Sequence, residues 1–119
     1  MTDACATHYQ TITLLICKNN VDYFIHIVNI HPSLLPRHGG RGMWGHHVHE
    51  SVKAAGDTET GITIHYVSEV CDGGEIIAQF KTPLQPSDTP DDIAAKVHVL
   101  EQEHFPKVIE QVLRKNSEE

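Results

Sequence analysis

The sequence predicts an α/β fold, a small β-sheet with flanking helices, and three observations carry that prediction. Two β-branched, apolar runs stand in the first quarter of the chain, at residues 11–17 (TITLLIC) and 22–28 (DYFIHIV). Two more, at 60–67 (TGITIHYV) and 75–82 (EIIAQFKT), come after a short helical stretch. The chain then closes on apolar residues at helical spacing, Ile93, Val97 and Leu100, extended by Val108 and Val112. Strands, a helix, two strands and a helix make an α/β domain with a small sheet.

Each element has its own local cause. Lys18-Asn19-Asn20 is a short polar turn between the first two runs, so they can pair as a hairpin. Pro32 and Pro36 end the second strand and stiffen the loop after it. Residues 38–45 (HGGRGMWG) hold four glycines in eight and predict a flexible loop. A helix is expected at 46–55, with Val48, Val52 and Ala55 as its apolar stripe and Gly56 as its stop. In the strand at 60–67, alternation places Ile62, Ile64 and Tyr66 on one face and Thr63, His65 and Val67 on the other. Thr89 is the expected N-cap of the last helix, Pro90 its first residue, and Asp92 the partner in a capping box, with Asp91 adding favourable charge. Pro106 should kink or break that helix after Phe105.

Composition narrows the function. At 119 residues the chain is one domain, able to bury roughly two-thirds of its unfolded surface. Its net charge of −7 disfavours nucleic acid and anionic membranes, which are met by Lys and Arg clusters. Three widely spaced cysteines without a Cys-x-x-Cys fit a reducing compartment. No apolar run reaches the roughly 18 residues of a membrane span, and the first ten residues do not form a secretory signal. A cytoplasmic location is the expectation.

The most informative stretch is Asn29-Ile30-His31-Pro32-Ser33-Leu34-Leu35-Pro36, taken with Cys71-Asp72-Gly73-Gly74. Asn29 and His31 lie two residues apart at a strand end, so their side chains project the same way. Open α/β sheets place ligands at such ends. Asn29 offers an amide N–H and His31 an imidazole N–H, while Asp72 can take a proton directly or through water. That set suits acyl transfer to an amine, where the substrate itself is the nucleophile and fixed donors meet the developing oxyanion. The blander alternative is a loop-anchoring Asn/His pair and an Asp-Gly-Gly turn.

Four histidines lie close in sequence, His38, His46, His47 and His49, but His47 and His49 cannot share a helical face and no Cys or carboxylate stands at matching distance. No metal is expected. Cys71 beside Asp72 reads as structural, since a neighbouring carboxylate raises a thiol's pKa. Trp44, Tyr66, Phe80 and Phe105 read as packing residues.

NIHPSLLPRHGG (29–40), HVHESVKAAGDTETGITIHYV (47–67), CDGGEII (71–77) and DTPDDIAAKVHVLEQEHFPKVIE (88–110) together resemble the 10-formyltetrahydrofolate-dependent formyltransferases, in particular the branch acting on phosphoribosyl glycinamide. The resemblance covers residues 28–113, leaving 1–27 unmatched and 114–119 as a polar tail. It implies a partial formyltransferase fold, a small mixed β-sheet with flanking helices, without the family's amino-terminal Rossmann-like half. Asn29, His31 and Asp72 fall on the family's catalytic trio, and Val70, Cys71, Asp72, Gly73 and Gly74 on the loop that holds the pterin ring. His47 matches a histidine near the active site, and Leu35-Pro36 a peptide bond that is often cis. No Gly-rich turn precedes Asn29, so the family's phosphate site is not carried over.

The function so implied is transfer of a formyl group from 10-formyltetrahydrofolate, as co-substrate, to the amine of phosphoribosyl glycinamide in purine synthesis. Its partners would be small molecules, not nucleic acid or membrane. An alternative of another class is a non-catalytic remnant that binds folate or associates with a second copy or a complementing chain through an exposed sheet edge. A relative acting on methionyl-tRNA is disfavoured by the acidic charge and the lack of an appended tRNA-binding domain.

Overall fold

The computed structural model describes residues 10–19, 22–67 and 75–117. Four strands and two helices run β1 (Gln10–Asn19), β2 (Asp22–His31), α1 (His46–Ala55), β3 (Glu59–Tyr66), β4 (Ile76–Pro83) and α2 (Pro90–Ser117). The strands form one sheet in the order β1-β2-β3-β4. The sheet is small with flanking helices, as expected, but its three ladders are all antiparallel rather than mixed. The cause is local: each strand pairs with its neighbour in sequence, and β1 runs on through Lys18 and Asn19, two of the residues expected in the turn.

Register fixes which residues share a face. Asn29 pairs with His65 and His31 with Thr63, while Val28 pairs with Tyr66 and Ile30 with Ile64. Because side chains alternate, Val28, Ile30, Ile62 and Ile64 occupy one face and Asn29, His31, Thr63 and His65 the other. The first set is buried with Val52 of α1 and with Ile93, Val97, Leu100, Val108 and Val112 of α2 in one core. Fully burying each such side chain contributes on the order of 1.5–3 kcal/mol. One register shift lies between Ile64 and His65, where Ile64 faces Ala78 but His65 faces Ile76, so Ile77 is an extra residue bulged out of β4 beside the polar face.

Both helix ends conform to the sequence pattern. Thr89 Oγ1 accepts from the Asp92 N–H at 3.2 Å, and Asp92 Oδ2 accepts from the Thr89 N–H at 2.9 Å, closing the expected capping box. At the end of α1, Gly56 takes a left-handed φ of 69°, its N–H bonding the Lys53 carbonyl while the Asp57 N–H reaches that of Val52. Val48 and Val52 are buried as expected, but Ala55 is exposed and His49 takes the inner position instead.

Pro106 does not break α2, which runs unbroken from Pro90 to Ser117. Its ring removes one intrahelical N–H, but both halves of the helix are anchored in the same core, Ile93, Val97 and Leu100 before it and Val108 and Val112 after it. Between them, His104 continues the stripe by stacking on Phe80 of β4, ring centres 3.8 Å apart. No helix among the described residues is long and apolar enough to cross a membrane.

Candidate active site

Asn29 and His31 end β2 and are both fully buried. Asn29 Nδ2 lies 3.2 Å from Nε2 of His65, whose Nδ1 lies 3.0 Å from the Tyr66 carbonyl. A carbonyl only accepts, so His65 carries its proton on Nδ1 and receives the Asn29 amide proton on Nε2. One hydrogen-bonded chain thus sets the rotation of the Asn29 amide. His31 Nε2 donates to the His38 carbonyl at 3.0 Å, which gives this ring the opposite tautomer, with its proton on Nε2.

Beyond His31 the chain turns through the two prolines and is laced to the polar face of the sheet. Thr63 Oγ1 donates to the Ser33 carbonyl at 2.7 Å and accepts from the Leu35 N–H at 3.0 Å. Gln79 Nε2, from β4, reaches both Thr63 Oγ1 and the Leu35 carbonyl at 3.0 Å. Ser33 Oγ donates to the Arg37 carbonyl at 2.7 Å. The Leu35–Pro36 bond is cis, as the resemblance implies.

A cavity of about 300 Å3 opens beside His31, bounded by Pro32, Met43, Trp44, His46, His49 and Glu101 among others. Burial, then the neighbouring His46 and His31, hold His49 below its ordinary pKa, so its ring is kept neutral. Burial pushes the Glu101 carboxyl up, with His98 opposing. The cavity therefore joins aromatic walls, imidazoles and one carboxyl to the end of β2, a mixture suited to a polar small molecule.

The predicted residues divide into two groups. Asn29 and His31 share one buried polar face, as the strand periodicity requires. Asp72 and the loop of Val70, Cys71, Gly73 and Gly74 lie outside the described residues. His47, matched by resemblance to a residue near the active site, is exposed and packs edge-on against Trp44 at 5.2 Å; it bounds an outer hollow and not the His31 cavity. His46 and His49 border that cavity instead. The other clustered histidine, His38, turns away to Asp57.

Sequence reasoning passed over His65, Thr63, Gln79, His49 and Glu101 as site residues. For Thr63 and His65 a signal was present: alternation puts them opposite Ile62 and Ile64. Only the register shows that their face is also that of Asn29 and His31.

Comparison with known proteins identifies the family. A family profile described as Formyl transferase matches residues 7–109. The chain is 45% identical over 84 residues to a chloroplastic phosphoribosylglycinamide formyltransferase of Vigna unguiculata, covering 71% of this chain and 27% of that protein. It is 41% identical over 83 residues to the phosphoribosylglycinamide formyltransferase of Escherichia coli K12, covering 70% and 37%. Among solved structures, the phosphoribosylglycinamide formyltransferase of Coxiella burnetii superposes with a TM-score of 0.65 at 39% identity, over 74% of this chain and 39% of that one. The chain thus spans well under half the length of these relatives. With a buried Asn/His pair on the matched segment and the family profile running through most of its length, the chain belongs to the formyl transferase family.

Proposed function

We propose that this chain carries the catalytic half of a phosphoribosylglycinamide formyltransferase, passing a formyl group from 10-formyltetrahydrofolate to the amine of phosphoribosyl glycinamide. The observation that carries it is the pairing of Asn29 and His31 on one buried polar face, beside a cavity of about 300 Å3. The donor supplies the formyl carbon and a nitrogen leaving group. Asn29 and His31 hold the oxyanion that develops as the substrate amine attacks that carbon, a task in which one fixed donor is worth about 100- to 1000-fold. His31 spends its Nε2 proton on the His38 carbonyl, so donation to the oxyanion falls to Nδ1 of the imidazolium. Asp72 relays the amine proton, through water, to the leaving nitrogen as the carbon–nitrogen bond to the donor breaks. Glu101, in the cavity wall, suits the hydroxyls of a sugar. Val70, Cys71, Asp72, Gly73 and Gly74 would hold the pterin ring.

The test is a formyl-transfer assay of the chain against Asp72→Asn. Loss of turnover in the variant supports the assignment; equal rates for the two proteins would sink it.

A second reading, a non-catalytic module that associates through its sheet edge, is favoured by one feature. The β2–β3 register covers Val28–His31, whereas β1 pairs with β2 along nearly its whole length, so a two-stranded ribbon extends past the sheet. Ribbon edges recruit further strands, from a second copy or a complementing chain. Light scattering separates the readings: a monomer that binds both substrates rules this one out.

A further inference from the structure

Four side chains outside the His31 cavity form a connected set. His38 Nε2 lies 2.7 Å from Oδ2 of Asp57, and its Nδ1 lies 2.6 Å from Oγ of Ser51. Asp57 Oδ1 takes a second bond from Arg37 Nη2 at 2.8 Å. The carboxylate and the imidazole are nearly enclosed, with 8% and 11% of their side chains exposed. Ser, His and Asp in this order invite a nucleophilic reading, but Ser51 sits mid-way along α1, where main-chain N–H groups are spent within the helix. Ser51 therefore has no main-chain oxyanion donor of its own, and the set is not built for separate acyl chemistry.

Its output is instead the backbone of His38. That residue takes a left-handed φ of 56°, a region uncommon for residues other than Gly, although Asn, Asp and His enter it more readily than most. Two side-chain bonds, one to the α1 surface and one to the loop after α1, hold it there. The same residue's carbonyl receives the His31 Nε2 proton, and Ser33 Oγ also approaches it at 3.5 Å. Where that carbonyl points decides which nitrogen of His31 keeps its proton.

We infer that His38 is a positioning residue for His31: Ser51 and Asp57 fix the His38 ring, the ring fixes its main-chain carbonyl, and the carbonyl, by accepting the Nε2 proton, fixes the His31 ring so that Nδ1, which carries a proton in the imidazolium, faces the reacting group. The inference rests on the formyl-transfer reading of the site. It differs from the helix and sheet bonds around it in being read out on a ring two links away.

The test is nitrogen NMR of histidine-labelled protein, with His31→Gln assigning the His31 signals. In the wild-type chain the neutral ring carries its proton on Nε2. His38→Gly keeps the carbonyl and relaxes the left-handed backbone but removes both ties. Ser51→Ala removes one tie and leaves the Asp57 bond, so it guards against a variant that fails to fold. Losing one hydrogen bond's preference moves the tautomer ratio of His31 about tenfold toward Nδ1–H in His38→Gly, and by less in Ser51→Ala. A His31 ratio unchanged in both variants overturns the inference. Because the ring is read directly, turnover does not enter: an inactive chain with the tautomer shift counts against formyl transfer and for positioning, and an active chain without the shift does the reverse.

Discussion

Asn29 and His65 are directly opposed across the β2–β3 ladder, and the amide of one is held by the ring of the other at 3.2 Å in a fully enclosed setting. Asn29 is therefore not a loop residue free to reorient. It is set by a cross-strand pair whose second member is in turn anchored on the Tyr66 carbonyl. That arrangement supplies preorganisation before any ligand arrives.

Asn29→Ala should accordingly act twice. Activity should fall about 100- to 1000-fold through loss of an oxyanion donor. Stability should fall by about 1–3 kcal/mol, because His65 Nε2 is left buried without its donor. His65→Ala should leave the Asn29 amide in place but unoriented, lowering turnover with a smaller effect on substrate affinity. Steady-state kinetics beside urea unfolding of both variants checks this; full activity in His65→Ala would refute the orienting role.

The fold was largely legible and the site only in part. Capping at Thr89/Asp92 and the stop at Gly56 are local chemistry, so neighbouring residues in the sequence dictate them. The Pro106 break failed because the decision there is tertiary: core contacts on both sides outweigh one lost helical bond. His49 replaced Ala55 on the inner face of α1 for a similar reason, a cavity wall that no periodicity encodes. Asn29 and His31 were legible because period 2 needs no partner, whereas His65 required the register.

Acid titration should expose His49 and Glu101 as opposite contributions. The folded pKa of His49 lies below its ordinary 6.5, so below that pH the unfolded chain binds a proton the folded one resists. Its share of stability is present above 6.5 and is lost as pH falls toward the lowered value. The folded pKa of Glu101 lies above its ordinary 4.5, so its share is present below 4.5 and lost as pH rises through the raised value. Accordingly His49→Asn should flatten the stability curve just below 6.5, and Glu101→Gln should raise stability near neutrality while changing nothing below 4.5. Urea midpoints across pH report both, each slope bounded by about 1.4 kcal/mol per pH unit. A steeper acid limb in His49→Asn would contradict the burial argument.

The cap of α2 offers a control far from the chemistry. Thr89→Ala removes the acceptor for the Asp92 N–H and should cost about 1 kcal/mol with kinetics unaltered. Asp92→Ala should cost a similar amount, and the double variant less than the sum, since the two bonds form one reciprocal box. Additive losses would show that each side chain acts separately.

Gly61 and Ile62 are neighbours in β3 whose substitutions should differ in kind. A Cβ at Gly61 would meet the main-chain carbonyl oxygen of Phe80 and lie 2.7 Å from Leu34 Cδ2. The Phe80 carbonyl belongs to the β3–β4 pairing and cannot swing aside as a side chain could. Leu34 belongs to the laced segment whose next residue bonds Thr63. Gly61→Ala should thus cost about 1–3 kcal/mol or more, as overpacking does, and also depress turnover by shifting the segment just after His31. Ile62→Ala removes a fully buried side chain from the opposite face and should cost about 2–5 kcal/mol. Its effect should be on stability, with the rate of the folded fraction retained. Parallel unfolding and kinetic measurements decide it: a rate loss in Ile62→Ala equal to that in Gly61→Ala would mean that the two faces of β3 are not independent.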